Sequence, residues 1–244
     1  MKIKNLLLSI LLSSFIIGCT GDAYSQLQLA ASRGEIEIIK EILDQGGDIN
    51  ETNKHKKTAL MLAAGNGRLE ATQLLIDRNA LIDAQEVDGM TALMMASSDG
   101  KTNTVKLLVD NGANINITNN YGATAITNAA FFNHAGAVKA ILSSKQKLDS
   151  DTAENALLIT AGLGLGNIIQ LLIDYGIDVN ARGKKGRTPL MAAVEFDHLE
   201  AVKLLLKNNA DANAKDTENN SILQIAKDEA GSEIIALITA ATKK

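Results

Sequence analysis

The chain has no tryptophan, one proline and one cysteine in 244 residues, and aromatic side chains make up only 3% of it. A single cysteine excludes any disulfide within the chain and any multi-cysteine zinc site. With 46% hydrophobic residues and so few rings, the core has to be assembled from small aliphatic side chains at close approach. That suits closely stacked helices. There is no excess of positive charge: the formal net charge is −4, and no basic stripe is evident, which argues against a nucleic-acid partner. The longest apolar stretch lies in residues 6–17 and falls short of the roughly 20 residues a membrane-spanning helix needs.

What the chain does have is a period. Thr58-Ala59-Leu60-Met61-Leu62-Ala63-Ala64 returns 33 residues later as Thr91-Ala92-Leu93-Met94-Met95-Ala96-Ser97, and again as Thr124-Ala125-Ile126-Thr127-Asn128-Ala129-Ala130. One step earlier stands Ser25-Gln26-Leu27-Gln28-Leu29-Ala30-Ala31. The phrase reappears at Asn155-Ala156-Leu157, Thr188-Pro189-Leu190 and Ser221-Ile222-Leu223, with one step shortened to 31 residues before Asn155. A fixed period of this length specifies stacked supersecondary units and overrides the one or two globular domains that length alone suggests.

Each unit reads as two helices. The Thr or Ser ahead of an apolar run is an N-cap signal. The run itself gives a helix of about two turns. Gly34, Gly67, Gly100, Asn133, Gly164 and Asp197 close these helices, since Gly, Asn and Asp best tolerate left-handed backbone. A second amphipathic helix follows, carried by residues such as Leu69, Leu74 and Leu75, or Val105, Leu107, Leu108 and Val109. Polar connectors such as Gly176-Ile177-Asp178-Val179-Asn180 then lead into turn-rich stretches.

Thr188-Pro189-Leu190-Met191-Ala192-Ala193 and Gly176-Ile177-Asp178-Val179-Asn180 resemble the ankyrin repeat, and the resemblance covers about residues 24–244. It implies an all-α ankyrin-repeat solenoid of about seven helix-turn-helix units with short β-turn connectors over residues 25–244. The family's His after Thr-Pro-Leu is replaced by Met61, Met94, Thr127, Leu158, Met191 and Gln224, so thioether packing is expected where the family has a polar network. Lys145-Gln146-Lys147-Leu148 lacks the Gly-Ala-Asp pattern, which predicts an irregular connector there. In the last unit Ile234, Ile235, Leu237 and Ile238 are expected to face inward.

Residues 1–18 form a different block. Lys2 and Lys4 precede Leu6-Leu7-Leu8-Ser9-Ile10-Leu11-Leu12, the charged and apolar regions of a signal peptide. The block ends in Ile16-Ile17-Gly18-Cys19, which resembles the bacterial lipobox. The resemblance implies a diacylglycerol on Cys19, cleavage before it, and residues 19–24 as a lipidated tether. Removing residues 1–18 takes away Lys2 and Lys4, so the net charge moves from −4 to −6. Thr20, where an inner-membrane retention signal would be Asp, leans toward an outer membrane with the solenoid facing the periplasm.

No chemistry is evident. His55, His134 and His198 have neither ligand spacing nor a partner cysteine. Gly162-Leu163-Gly164-Leu165-Gly166-Asn167 lacks the Lys-Ser/Thr ending of a phosphate loop. Asp83, Asp178 and Asp211 recur with the repeat and read as turn residues. No catalytic residue, metal, cofactor or small-molecule substrate is expected.

The expected function is non-enzymatic: a lipid-anchored module that binds a protein partner. Alternatives are an immunity or inhibitor protein against a periplasmic toxin, or an envelope component for structure or stress protection. Aligning the units puts Phe131 and Phe132 where an earlier unit has Gly65 and Asn66, and Phe196 where another has Phe132. Tyr121 falls on a connector tip. These four, with Asp99 and Glu195 as a polar rim, are the candidate partner contacts, since aromatics are enriched in interface hot spots.

Overall fold

The computed structural model describes residues 24–243. The residues 1–18, Cys19 and the tether before Tyr24 lie outside them. Seven helix pairs follow one another. The first helices are α1 (Gln26–Arg33), α3 (Ala59–Gly65), α5 (Ala92–Ser98), α7 (Ala125–Phe131), α9 (Ser150–Gly162), α11 (Pro189–Glu195) and α13 (Ile222–Glu229). The second helices are α2 (Ile36–Asp44), α4 (Leu69–Asp77), α6 (Thr102–Asp110), α8 (Ala135–Leu142), α10 (Gly166–Tyr175), α12 (Leu199–Lys207) and α14 (Ser232–Ala241). First helices pack on first helices and second on second down the chain, so the protein is a two-layered solenoid. Among the described residues the strand-like pairing is an isolated antiparallel bridge between Lys215 and Ser221. No described helix is long and apolar enough to cross a membrane.

Local chemistry sets the helix ends. Ser25, Thr58, Thr91, Thr124, Thr188 and Ser221 sit in extended backbone, and each side-chain oxygen accepts the N–H three residues on. Each satisfies one donor that the helix leaves without a partner. All six closing residues have the left-handed φ expected of them, from 55° at Asp197 to 79° at Gly34. At the position of the family's His, buried Met61 turns its sulfur to the Thr58 N–H at 3.4 Å. In the first unit that position holds Gln28, whose amide donates to the carbonyls of Glu51 and Lys57 on the following connector.

The fifth unit departs from the expected pattern. Its first helix begins at Ser150, five residues before Asn155, so Asn155 lies inside α9 rather than at its N-cap. Its connector is two residues short and has no Gly-rich tip, so helix starts directly after Asp149. Asn116, one repeat back, accepts the Asp149 N–H at 3.1 Å and donates to the Lys147 carbonyl at 2.9 Å, as Asn50 and Asn180 hold the connectors after them. Elsewhere the connector tips are tied in series: Val87 donates to the His55 carbonyl, Asn120 to Asp88, and Thr217 to Lys185. The fifth unit has no such tip.

The core is small and repetitive. Ala63, Ala64, Ala96, Ala129, Ala130, Ala161 and Ala193 are buried where first helices meet, and Leu75, Leu108, Ile141, Leu172 and Leu205 fill the space beneath the second helices. Each buried Leu or Ile contributes about 1.5–3 kcal/mol. Two expected core residues lie elsewhere. Leu69 is exposed, and Ala71 and Thr72 do the packing of its turn. Leu237 is half-exposed because it occupies the outer-flank position of Leu74, Leu107 and Leu204, while Ile234 and Ile238 are buried as expected.

Candidate partner-binding surface

The ends of the first helices and the connector tips form one face of the stack. Its floor is a row of part-exposed side chains one turn before each helix end: Leu29, Leu62, Met95, Asn128, Ile159 and Ala192. Along it runs a row of exposed residues from successive units: Asn66, Asp99, Phe132, Leu163 and Phe196. The rings of this face point into solvent. Tyr121 is 80% exposed, Phe131 58%, Phe132 54% and Phe196 60%.

The structure brings some of these together and keeps others apart. Phe131 and Phe132 meet edge-to-face with centroids 5.2 Å apart, and Phe132 stacks on His134 at 6.5 Å. Phe196 lies over Gly162, where a Cβ would meet its ring at 3.5 Å. Tyr121, on its connector tip, joins neither ring pair among the described residues. Leu163, exposed between Phe132 and Phe196 in the row, extends the apolar surface across the fifth unit. Sequence reasoning passed over it, although the same alignment that selected Phe132 and Phe196 places Leu163 between them.

The two carboxylates differ. Asp99 is exposed and lines a shallow groove of about 300 Å³ with Lys57, Met61, Leu62, Met90 and Met95. Glu195 is half-buried and paired with Arg187, so it braces the connector rather than standing as a free rim charge.

Two of the histidine rings tie neighbouring repeats together. His134 and His198 each bond a main-chain carbonyl of the preceding repeat. The His55 carbonyl accepts from Val87. Asp178 and Asp211 each accept the N–H two residues on, and Asp83 accepts the Asn114 N–H one repeat on, as turn residues do. Among the described residues no three His, Cys, Asp or Glu side chains are grouped to hold a metal ion.

A family model described as ankyrin repeats in three copies matches residues 5–86, 27–119, 78–152 and 126–216. Among curated proteins, alpha-latrocrustotoxin-Lt1a of Latrodectus tredecimguttatus is 42% identical over 71 residues, 29% of this chain and 5% of that protein. Human ankyrin repeat domain-containing protein 63 is 34% identical over 76 residues, 30% of this chain and 20% of that protein. The chain therefore spans a fifth or less of these relatives' lengths. Among solved structures, the ankyrin repeat domain of Bcl-3 superposes with a TM-score of 0.78 at 22% identity, covering 90% of this chain and 99% of that one. The human ASB11 ankyrin repeat domain gives 0.74 at 21%, covering 89% and 98%. At such identities the likeness is one of fold.

Proposed function

The chain belongs to the ankyrin-repeat family, and from that premise we propose that it is a non-enzymatic, lipid-anchored protein-interaction module of a bacterial envelope. Ankyrin repeats mediate protein–protein contact. The observation that carries the reading here is the run of exposed apolar side chains Phe131, Phe132, Leu163 and Phe196, on a row whose earlier exposed positions are the polar Asn66 and Asp99. Large side chains left in water on a rigid surface lose little ordering entropy when a partner covers them. Asp99 and the Met-lined groove beside it extend the same face toward the N-terminus. The motif Ile16-Ile17-Gly18-Cys19 supports attachment through a diacylglycerol on Cys19, with the solenoid in the periplasm.

The test is a photo-crosslinking amino acid introduced at Phe132, Phe196 and, on the outer helix layer, Asn103. Crosslinking is carried out in intact envelopes. One protein product from 132 and 196 that is absent from 103 supports the reading. Equal products from all three positions, or none, overturn it.

A further inference from the structure

A repeat inside a stack buries both of its sides, so the pattern has to change at the two ends. The C-terminal end changes as a cap should. Exposed Gln224 stands where Met61, Met94 and Met191 are buried, and exposed Lys227 where Ala64, Ser97 and Val194 are buried. The N-terminal end keeps its apolar side chains. Ile38 is 45% exposed, while its counterparts Ala71, Thr104, Ala137, Ile168, Ala201 and Ile234 are at most 2% exposed. Ile42 is half-buried, while Leu75, Leu108, Ile141, Leu172, Leu205 and Ile238 are buried completely.

Ile38 and Ile42 are one helical turn apart on α2 and form a single stripe. It is the stripe that every later repeat presses against the repeat before it. Most of the later repeats hold only Ala or Thr at the first of these positions. The end repeat thus carries a larger apolar side chain than the stack needs, at the place where no described repeat covers it. Two charge pairs flank the stripe, Lys40 with Glu37 at 2.9 Å and Arg33 with Glu35 at 3.8 Å, and the Glu41 carboxylate accepts from the neutral Gln45 amide at 3.3 Å. Such a rim, with most of its charges paired, presents no strong field of one sign to a partner. Part-exposed Tyr24 lies just ahead of α1, and Tyr is a residue favoured at membrane interfaces.

We propose that this stripe rests on the bilayer: Ile38 and Ile42 enter the interfacial zone of the membrane that the acyl chains of Cys19 occupy, and the solenoid stands on its N-terminal end. The proposal rests on the lipid anchor proposed above. Only Thr20 to Tyr24 separate Cys19 from the α1 cap, and five extended residues reach at most about 17 Å. α2 packs beside α1 at roughly 8–10 Å, so the stripe lies within reach of the surface the anchor enters. The anchor holds the protein, and the stripe sets its orientation. The Phe131–Phe132 unit, three layers further on, would then be presented about 25–30 Å from the membrane.

Cys19 is the chain's only cysteine, and acylation blocks its sulfur. A cysteine introduced as Ile38→Cys, Ile42→Cys, Gln26→Cys or, as a control, Asn103→Cys therefore takes a nitroxide label alone. Full-length acylated protein is placed in vesicles of phosphatidylethanolamine and phosphatidylglycerol. Collision rates of each label with oxygen and with a water-soluble nickel chelate are then compared. Labels at 38 and 42 are expected to favour oxygen several-fold over the label at 103. The label at 26 is expected to move toward water when Ile38→Asp and Ile42→Asp are added, with the circular dichroism unchanged. Water-like collisions at 38 and 42 in vesicle-bound protein overturn the proposal and leave the anchor standing. Nitroxide on Cys19 of the unsubstituted chain, or failure to enter the vesicle fraction, overturns the anchor itself. Shielding from both reagents overturns the bilayer as occupant. Dipolar broadening between labels would then identify a second copy of the chain, and its absence a tether folded back on the stripe.

Discussion

His134 donates its Nε2–H to the carbonyl oxygen of Ser98, in the repeat before its own, at 3.0 Å. Its ring lies over Gly100, where a Cβ would come within 2.5 Å of Nδ1. His198 repeats the arrangement on the Gly162 carbonyl at 2.9 Å and over Gly164, and Arg68 on the Ser32 carbonyl at 3.0 Å beside Gly34. A carbonyl at the end of a first helix has no partner within that helix. Here the next repeat supplies one, and the glycine provides both the left-handed backbone and the room for the donor. The last repeat reverses the direction: Asp197 accepts the Gly231 N–H at 2.8 Å.

Gly100→Ala and Gly164→Ala should therefore cost more than an ordinary surface change. Each places a Cβ at a φ of +63° or +68° and pushes the histidine off its carbonyl. The expected loss is about 1–3 kcal/mol in denaturant unfolding. Asn133→Gly, at the equivalent position with a φ of 59°, keeps the conformation and should stay within about 0.5 kcal/mol. Wild-type stability for Gly100→Ala would mean that the interlock contributes nothing.

The caps allow a second comparison. Thr91 is buried, and its hydroxyl accepts the Met94 N–H at 3.2 Å. Thr91→Ala should cost about 1 kcal/mol, whereas Thr91→Ser keeps the acceptor and should recover most of it. Equal losses would assign the effect to the lost methyl packing instead.

Much of this was legible in the sequence because the repeat writes each local rule several times. The cap hydroxyls and closing residues are short-range features, fixed within a few residues of one another. What escaped depends on contacts and positions beyond the few neighbouring residues that the period displays. The shortened connector into α9 is held by the Asn116 side chain, 33 residues before Asp149. Glu195 is taken out of the candidate rim by Arg187 on the connector before its own helix. Leu163 was in view only as a residue of a Gly-rich stretch, although the repeat alignment already set it between Phe132 and Phe196; its exposure is what the stack adds. The exposure of Ile38 could not be read from periodicity, because an end repeat obeys the same pattern as the others.

Acid should loosen the last connector only once pH falls below the ordinary carboxylate range. The Asp216 carboxyl is held below the ordinary carboxylate range, chiefly by the hydrogen bond from the Asn220 side chain, with help from the Asn220 and Glu218 N–H groups. A lowered folded value means the contribution is complete above the unfolded carboxylate pKa and is lost as pH falls through the folded one. Amide exchange at Glu218 and Asn220, whose N–H groups bond Asp216, should speed up over that acid range. In Asp216→Asn the exchange rates should lose this inflection. An unchanged inflection would assign the titration to another group.

Cys19→Ser should prevent acylation, leaving the chain unprocessed or released from membranes. Metabolic incorporation of an alkyne fatty acid is the direct readout. Label in the wild type and none in Cys19→Ser is the expected result. No label in the wild type would remove the anchor, while the solenoid and its binding face would stand.

The binding face is tested by removing rings whose loss should not touch the core. Phe132 and Phe196 are more than half exposed, and Tyr121 more so, so their alanine variants should melt within about 0.5 kcal/mol of wild type. Against the partner found by crosslinking, Phe132→Ala and Phe196→Ala should each weaken binding by more than about 1 kcal/mol. Phe131 packs edge-on against Phe132, so the double variant Phe131→Ala/Phe132→Ala should lose less than the sum of the two single losses. Leu163→Ala should fall between them and the neutral control Asn103→Ala, because it lies in the same row with less area. Tyr121 discriminates between two footprints, since it stands on a tip apart from the ring pairs. A loss at Tyr121 together with Phe132 means the partner spans tips and helix ends. Losses at Phe132 and Phe196 with Tyr121→Ala unaffected confine it to the helix ends. Normal binding by all three variants would place the partner on another face of the stack.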